Sequence, residues 1–186
     1  MKQQLNIVVN GEPYDLFIEP KTLLVQVIRE MLGLRGTHQA CDSSSCAACT
    51  VIVDGMAVKS CSILALQVSG KSVTTIEGLA KNTQLHPIQQ AFIDNWAFQC
   101  GFCTSGQIMA AKALLDENPN PTREEIQAQM DGHLCRCTGY NMINEAIRDA
   151  AKRLQSRDAA MKLPAQKGKM PSQKWAQTAK SGKGAA

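Results

Sequence analysis

The chain has 186 residues, 44% hydrophobic but only 4% aromatic, and a formal net charge of +4. That charge is uneven: six lysines and no acid fall between Ala159 and Ala186, and taking them from the total leaves residues 1–158 at −2. An acidic body excludes a basic nucleic-acid binder, and no apolar run nears the roughly 20 residues of a membrane span.

Met1-Lys2-Gln3-Gln4 leads into alternating residues rather than an apolar leader. This predicts a cytoplasmic protein whose thiols stay reduced. Leu5, Ile7 and Val9, the turn Asn10-Gly11, then Leu16 and Ile18 predict a hairpin. Thr22 is the expected cap of a short helix with Leu24, Val27, Ile28 and Met31 on one face, stopped by Gly33. A ligand-bearing loop follows. A second hairpin is expected from Thr50–Val53, the turn Asp54-Gly55 and Met56–Ser62, and a last strand around Val73–Ile76.

Beyond Gly78 the apolar period becomes helical. Pro87 suits the first turn of a helix holding Ile88, Ala91, Phe92 and Trp96. A second helix is expected from about Ser105 to Asp116, broken by Asn118-Pro119-Asn120-Pro121. Thr122 and Glu125 form a capping box for a third. Ile143, Ala146, Ile147, Ala150 and Leu154 mark a fourth. The resulting fold class is α+β: strands with one helix over 1–78, four helices over 79–158, and a basic, disordered tail over 159–186. Met31, Met56, Met109, Met130 and Met142 are read as core filler.

The eight cysteines fall into two sets of four. Cys41, Cys46 and Cys49 lie on one loop, and Cys61 returns from the far strand of the second hairpin. This C-x4-C-x2-C plus one spacing is the plant-type 2Fe–2S pattern, and it suits zinc poorly, since zinc sites favour two tight pairs. Cys100, Cys103, Cys135 and Cys137 form a C-x2-C and a C-x-C at helix ends. That spacing alone leaves zinc and an iron–sulfur cluster both open. Arg136 between two ligands reads as a solvated loop arginine, and His38, His86 and His133 are too scattered to make a metal site; His133 reads as a surface residue.

Gly33-Leu34-Arg35-Gly36-Thr37, Cys41 to Val51, Thr75-Ile76-Glu77-Gly78-Leu79, Gln99 to Thr104 and Leu134 to Tyr140 resemble the small iron–sulfur subunit of molybdenum hydroxylases: the xanthine oxidase, aldehyde oxidoreductase and aerobic carbon monoxide dehydrogenase family. The resemblance covers roughly residues 3–155. It implies a β-grasp, plant-type ferredoxin-like domain followed by an all-α four-helix bundle domain, each holding one 2Fe–2S cluster. It implies a large partner subunit with molybdopterin, as the cytosine dinucleotide, and a medium partner subunit with FAD. Electrons would pass from molybdenum to the helical-domain cluster, then to the first cluster, then to flavin or another acceptor. The resemblance places Gln99 near the pterin and has Cys137 bridge cluster and pterin.

Ser44 and Ala47 stand where that family has glycines, Ser105 where it has Pro and His133 where it has Asn. A positive φ at Ala47 would strain it by about 1 kcal/mol. The rival readings are a free-standing two-cluster ferredoxin and a zinc-stabilised adaptor that binds nucleic acid through its basic tail.

Overall fold

A computed structural model describes the backbone of residues 1–162 and the side chains of residues 1–156. The first hairpin forms as β1 (Gln3–Val9) antiparallel to β2 (Glu12–Ile18), with Val9 opposite Glu12. Asn10 and Gly11 both take positive φ, 54° and 89°, the backbone that a tight turn needs to match the twist of its strands. Leu5, Ile7 and Val9 are buried in alternation with exposed neighbours.

The next helix departs from expectation. α1 (Leu24–Gln26) runs on as a π-helical turn over Val27–Met31. Its cap position is Leu23, not Thr22. The Gln26 side chain accepts from Leu23 N–H at 2.9 Å, while the Thr22 carbonyl is drawn away to accept from Ala65 N–H at 2.8 Å. The wider turn buries Val25 along with Leu24, Val27 and Ile28 and leaves Met31 47% exposed. Gly33 ends it with φ 71°, and Leu34 N–H reaches back to the Ile28 carbonyl.

β3 (Thr50–Val53) and β4 (Met56–Lys59) pair around Asp54-Gly55, again with two positive φ values. β5 (Ser72–Thr74), shorter than expected, lies parallel to β1 and antiparallel to β3, giving a five-stranded mixed sheet in the order β2-β1-β5-β3-β4. Cys61 sits in a 3-10 turn, Ser60–Ser62, rather than on the strand, because pairing of β4 stops at Lys59.

Four further helices follow: α2 (Pro87–Asp94), α3 (Thr104–Glu117), α4 (Arg123–Met130) and α5 (Tyr140–Lys162). Pro87 opens α2 as expected, and the His86 ring accepts from Ile88 N–H as its cap. α2 ends before Trp96, which has φ 52° and is 79% exposed, so Trp96 is not on the apolar face. The Thr122–Glu125 capping box is present in both directions, at 2.7 and 3.2 Å. α5 continues past Ala159 to Lys162; the remainder of the predicted disordered tail lies outside the described residues.

Two large apolar cores result, beside a small cluster of Val25, Cys49 and Cys61 among the described residues. One gathers Leu5, Ile7, Val9, Leu24, Ile28, Val51 and Val53. The other gathers Ile88, Phe92, Met109, Ile126, Ile147 and Ile52. β3 divides them: Val51 and Val53 face the first and Ile52 the second, so a strand with no polar face is buried throughout. Met109 and Met130 are core residues, but Met56 and Met142 join Met31 on the surface. Thr75-Ile76-Glu77-Gly78 links the halves: Ile76 packs against the second core, and its neighbours are bonded to the first. Thr75 N–H and Oγ1 bond the Asn10 amide at 2.9 and 3.0 Å, and Glu77 accepts from Gly36 N–H at 2.8 Å.

Candidate metal centres

The loop that carries Cys41, Cys46 and Cys49 is held from both ends. Arg29 donates to the carbonyls of Arg35 and Thr37 at 3.1 and 2.7 Å, fixing the approach to Cys41. At the far end, Thr50 Oγ1 donates to the Ala47 carbonyl at 2.7 Å and Ser60 Oγ to the Cys49 carbonyl at 2.7 Å. Between them Ser44 and Ala47 adopt φ 59° and 60°. The two positions that depart from glycine therefore do occupy the left-handed region, where a Cβ costs roughly 1–2 kcal/mol.

These constraints turn the sulfurs toward one another. Cys41 Sγ lies 3.3 Å from Cys46 Sγ, and Ser44 Oγ lies 3.8 Å from Cys61 Sγ. The Cys49 and Cys61 thiols interact closely enough to shift the Cys49 pKa. In the second set the thiol of Cys137 acts on that of Cys100, and Cys135 on Cys103. Those four come from the α2–α3 and α4–α5 connections, so the helices join what the sequence separates. No cysteine forms a disulfide.

Each site has an open and a closed side. The Cys46 N–H, then the Cys46 thiol and the Ser43 N–H, lower Cys41 to about 6, whereas burial raises Cys49 to about 11. In the second site the Phe102 N–H and the Cys137 thiol lower Cys100, and burial pushes Cys103 up to about 12.

Among the described residues no three His, Cys, Asp or Glu side chains gather around a point that one metal ion could occupy. A tetrahedral zinc needs four donors at about 2.0–2.3 Å from one centre. Thiols arranged two and two suit instead a group with two metal atoms, each taking one pair. On donor chemistry and arrangement, both quartets fit a 2Fe–2S cluster.

Gln99 and Cys137, the two residues expected near a pterin, meet: Gln99 Nε2 donates to the Cys137 carbonyl at 3.1 Å. Gln99 is exposed and so spans from the end of the α2 region to the C-x-C loop. Thr138, next to Cys137, has φ 60°, an outlying conformation for a β-branched residue. Arg136 is exposed, as expected of a solvated arginine.

Sequence reasoning missed the residues that join the two sites. Leu134 N–H donates to the Cys46 carbonyl at 3.1 Å, tying the neighbour of Cys135 to a residue of the first set. His133 is lodged between the halves rather than on the surface. Its Nε2 lies 3.5 Å from Thr50 Oγ1 and its Nδ1 is buried, and burial and then the Lys59 charge lower its pKa. His38 stacks on Phe102 at 4.6 Å and bonds its carbonyl at 2.8 Å. A Cβ on Gly106 would strike the Ala47 carbonyl and come within 2.9 Å of that of Ala48. No local spacing signals such contacts, because each joins segments far apart in the chain.

Residues 7–75 match the family described as 2Fe-2S iron-sulfur cluster binding domain, and residues 75–148 the one described as [2Fe-2S] binding domain. The chain is 44% identical over 152 residues to the nicotinate dehydrogenase small FeS subunit of Eubacterium barkeri, covering 82% of this chain and 97% of that one. Among solved structures it resembles quinoline 2-oxidoreductase from Pseudomonas putida 86, with TM-score 0.79, 39% identity, and 83% and 97% of the two chains covered. It also resembles aldehyde oxidoreductase from Desulfovibrio desulfuricans, with TM-score 0.79, 44% identity and 83% of this chain, but only 17% of that longer chain.

Proposed function

Because the chain belongs to the small iron–sulfur subunits of the molybdenum hydroxylase family, we propose that it carries electrons between a molybdopterin-bearing large subunit and FAD or another acceptor. The observation that carries this reading is the 3.3 Å approach of Cys41 Sγ to Cys46 Sγ, supported by the thiol interactions of Cys49 with Cys61, Cys100 with Cys137 and Cys103 with Cys135. Cys41, Cys46, Cys49 and Cys61 hold one 2Fe–2S cluster in a β-grasp domain, residues 1–78. Cys100, Cys103, Cys135 and Cys137 hold the other in a four-helix bundle domain, residues 79–158. A 2Fe–2S cluster supplies reversible one-electron chemistry.

The chain's own residues shape that role. The Leu134–Cys46 hydrogen bond gives the two sites a short backbone connection. Burial of Cys49, Cys61 and Cys135 excludes water from the inner side of each site. The second site opens onto large exposed apolar residues: Phe98 and Phe102 beside Cys100, and Leu134 and Tyr140 beside Cys135 and Cys137. A large subunit seated there would cover them, with Gln99 and Cys137 directed to its pterin. The longer aldehyde oxidoreductase chain, of which this chain matches a small share, supports such a companion. A medium FAD subunit completes the complex, which works in the cytoplasm. Among the described residues no helix is long and apolar enough to cross a membrane.

Purification from the native source tests the reading. Equal iron and acid-labile sulfide, two reduced-cluster EPR signals and a much larger molybdenum-containing chain in the same fraction are expected. A colourless zinc protein without sulfide would overturn it, and a brown protein that elutes alone would make it a free-standing ferredoxin.

A further inference from the structure

β4 ends at Lys59, two residues before Cys61. The Lys59 side chain does not extend into solvent. It is half-buried and Nζ donates to the Ser44 carbonyl at 2.8 Å, on the loop between Cys41 and Cys46. Among the described residues it is the one lysine or arginine that donates into that loop. Ser44 itself places Oγ 3.8 Å from Cys61 Sγ. On its other side Lys59 faces the second half: a Cβ at Gly132 would lie 3.7 Å from Nζ, and its charge acts on His133. The cation thus stands between the first cysteine loop and the segment leading to Cys135.

We propose that the Lys59 cation raises the reduction potential of the first cluster. This rests on the reading of both quartets as cluster ligands. One electron passing from the second site to the first oxidises the one and reduces the other, adding one negative charge beside Lys59. A partly desolvated cation stabilises that charge far more than one in water would, and net charge and hydrogen bonding near the sulfurs are what tune such potentials. Lys59 touches no reacting atom; it is a positioning residue.

The test uses the full chain in its native complex, with Lys59→Gln, Lys59→Met and Lys59→Arg. Iron and sulfide are assayed first, and the midpoint of each EPR signal is then titrated. Cys46→Ser identifies the first signal by its loss. The expected result is a lower first midpoint in Lys59→Gln and Lys59→Met, little change in the second, and a midpoint kept in Lys59→Arg. Glutamine can still bond the Ser44 carbonyl, so a midpoint held in Lys59→Gln but lost in Lys59→Met would assign the effect to the hydrogen bond and overturn the proposal. Fully loaded variants with unmoved midpoints would also overturn it. Should Lys59→Met fail to load, the Gln and Arg variants decide alone. If the unaltered chain carries no iron or sulfide, the cluster reading itself fails.

Discussion

The two cysteine sites reach the same two-and-two arrangement by opposite routes. In the first, a continuous loop bends sharply enough to bring Cys41 and Cys46 within 3.3 Å, and the local backbone bears the strain at Ser44 and Ala47. In the second, tertiary packing does the work: α2 lies on α5 and α3, and α4 on α3 and α5, so that two distant connections meet at one end. A loop-built site depends on the φ values of a few residues, and a packing-built site on the docking of whole helices. Their responses to mutation should differ accordingly.

On the proposed cluster assignment, the largest effects come from the cysteines. Cys103→Ser and Cys46→Ser should each abolish one EPR signal and remove roughly half the iron and sulfide, leaving the other site loaded. Their stability costs should be unequal. Cys100 to Cys137 encloses a little under twice the chain of Cys41 to Cys61, and loop-closure entropy grows by about 0.6 kcal/mol per doubling, so Cys103→Ser should destabilise by about 0.5 kcal/mol more. Urea unfolding of the loaded variants measures this. Equal losses would show that closure of the helical site contributes nothing beyond that of the loop.

Gly106→Ala tests the seam where the regions touch. The new methyl would meet two carbonyl oxygens of the first cysteine loop, neither the end of a flexible side chain. Overpacking of this kind costs about 1–3 kcal/mol. The variant should fold less stably, and its two halves should unfold at separate urea concentrations where the unaltered chain shows one transition. A single, unshifted transition would mean that the loop yields freely.

The two routes also explain what could be read in advance. The first hairpin, the Asp54-Gly55 turn, the α4 capping box and the ligand spacing are local chemistry, and the sequence carries local chemistry openly. Helix ends were harder. Thr22 looked like a cap, but its carbonyl is engaged by Ala65, and Trp96 fitted the α2 period although the helix stops at Asp94. Burial by the opposite half was hardest: His133 lies in the polar turn Asp131-Gly132 that leads to Leu134, and Lys59 looks like any strand-end lysine. The left-handed backbone at Ala47 was legible only because the family resemblance places glycine there.

Ala47 and Ala48 give a matched pair within the loop. Both are buried, at 1% and 3% exposure, but only Ala47 has positive φ. Alanine to glycine loses a buried methyl at either position, about 0.8 kcal/mol, and adds unfolded-chain entropy worth about 0.4–1 kcal/mol. At Ala47 alone it also relieves about 1–2 kcal/mol of left-handed strain. Ala47→Gly should therefore be near neutral while Ala48→Gly destabilises, a difference readable in thermal unfolding. Similar losses at both would mean that the loop is not strained in solution.

The smallest effect belongs to the packing-built site. Arg153 of α5 bonds Asp94 of α2 at 2.6 Å, Gln90 adds a bond at 2.8 Å, and Arg153 is held in turn by Asp149. The pair joins the two helices whose ends lead to Cys100 and from Cys137. The Arg153 and Gln90 hydrogen bonds lower the Asp94 pKa. A carboxyl lowered on folding contributes stability that is fully present above its unfolded value of about 3.9 and is lost as pH falls through the folded value. Asp94→Asn should therefore be slightly less stable than the unaltered chain at neutral pH, and the gap should close below that window. Both side chains are partly exposed, at 42% and 33%, so salt should shrink the gap as well. Because among the described residues no hydrogen bond or ion pair joins the first cysteine loop to this pair, its EPR signal should not change, whereas any broadening should be confined to the signal that Cys103→Ser removes. A gap that widened in acid would reverse the sign of the linkage and dismiss the ion pair as the cause.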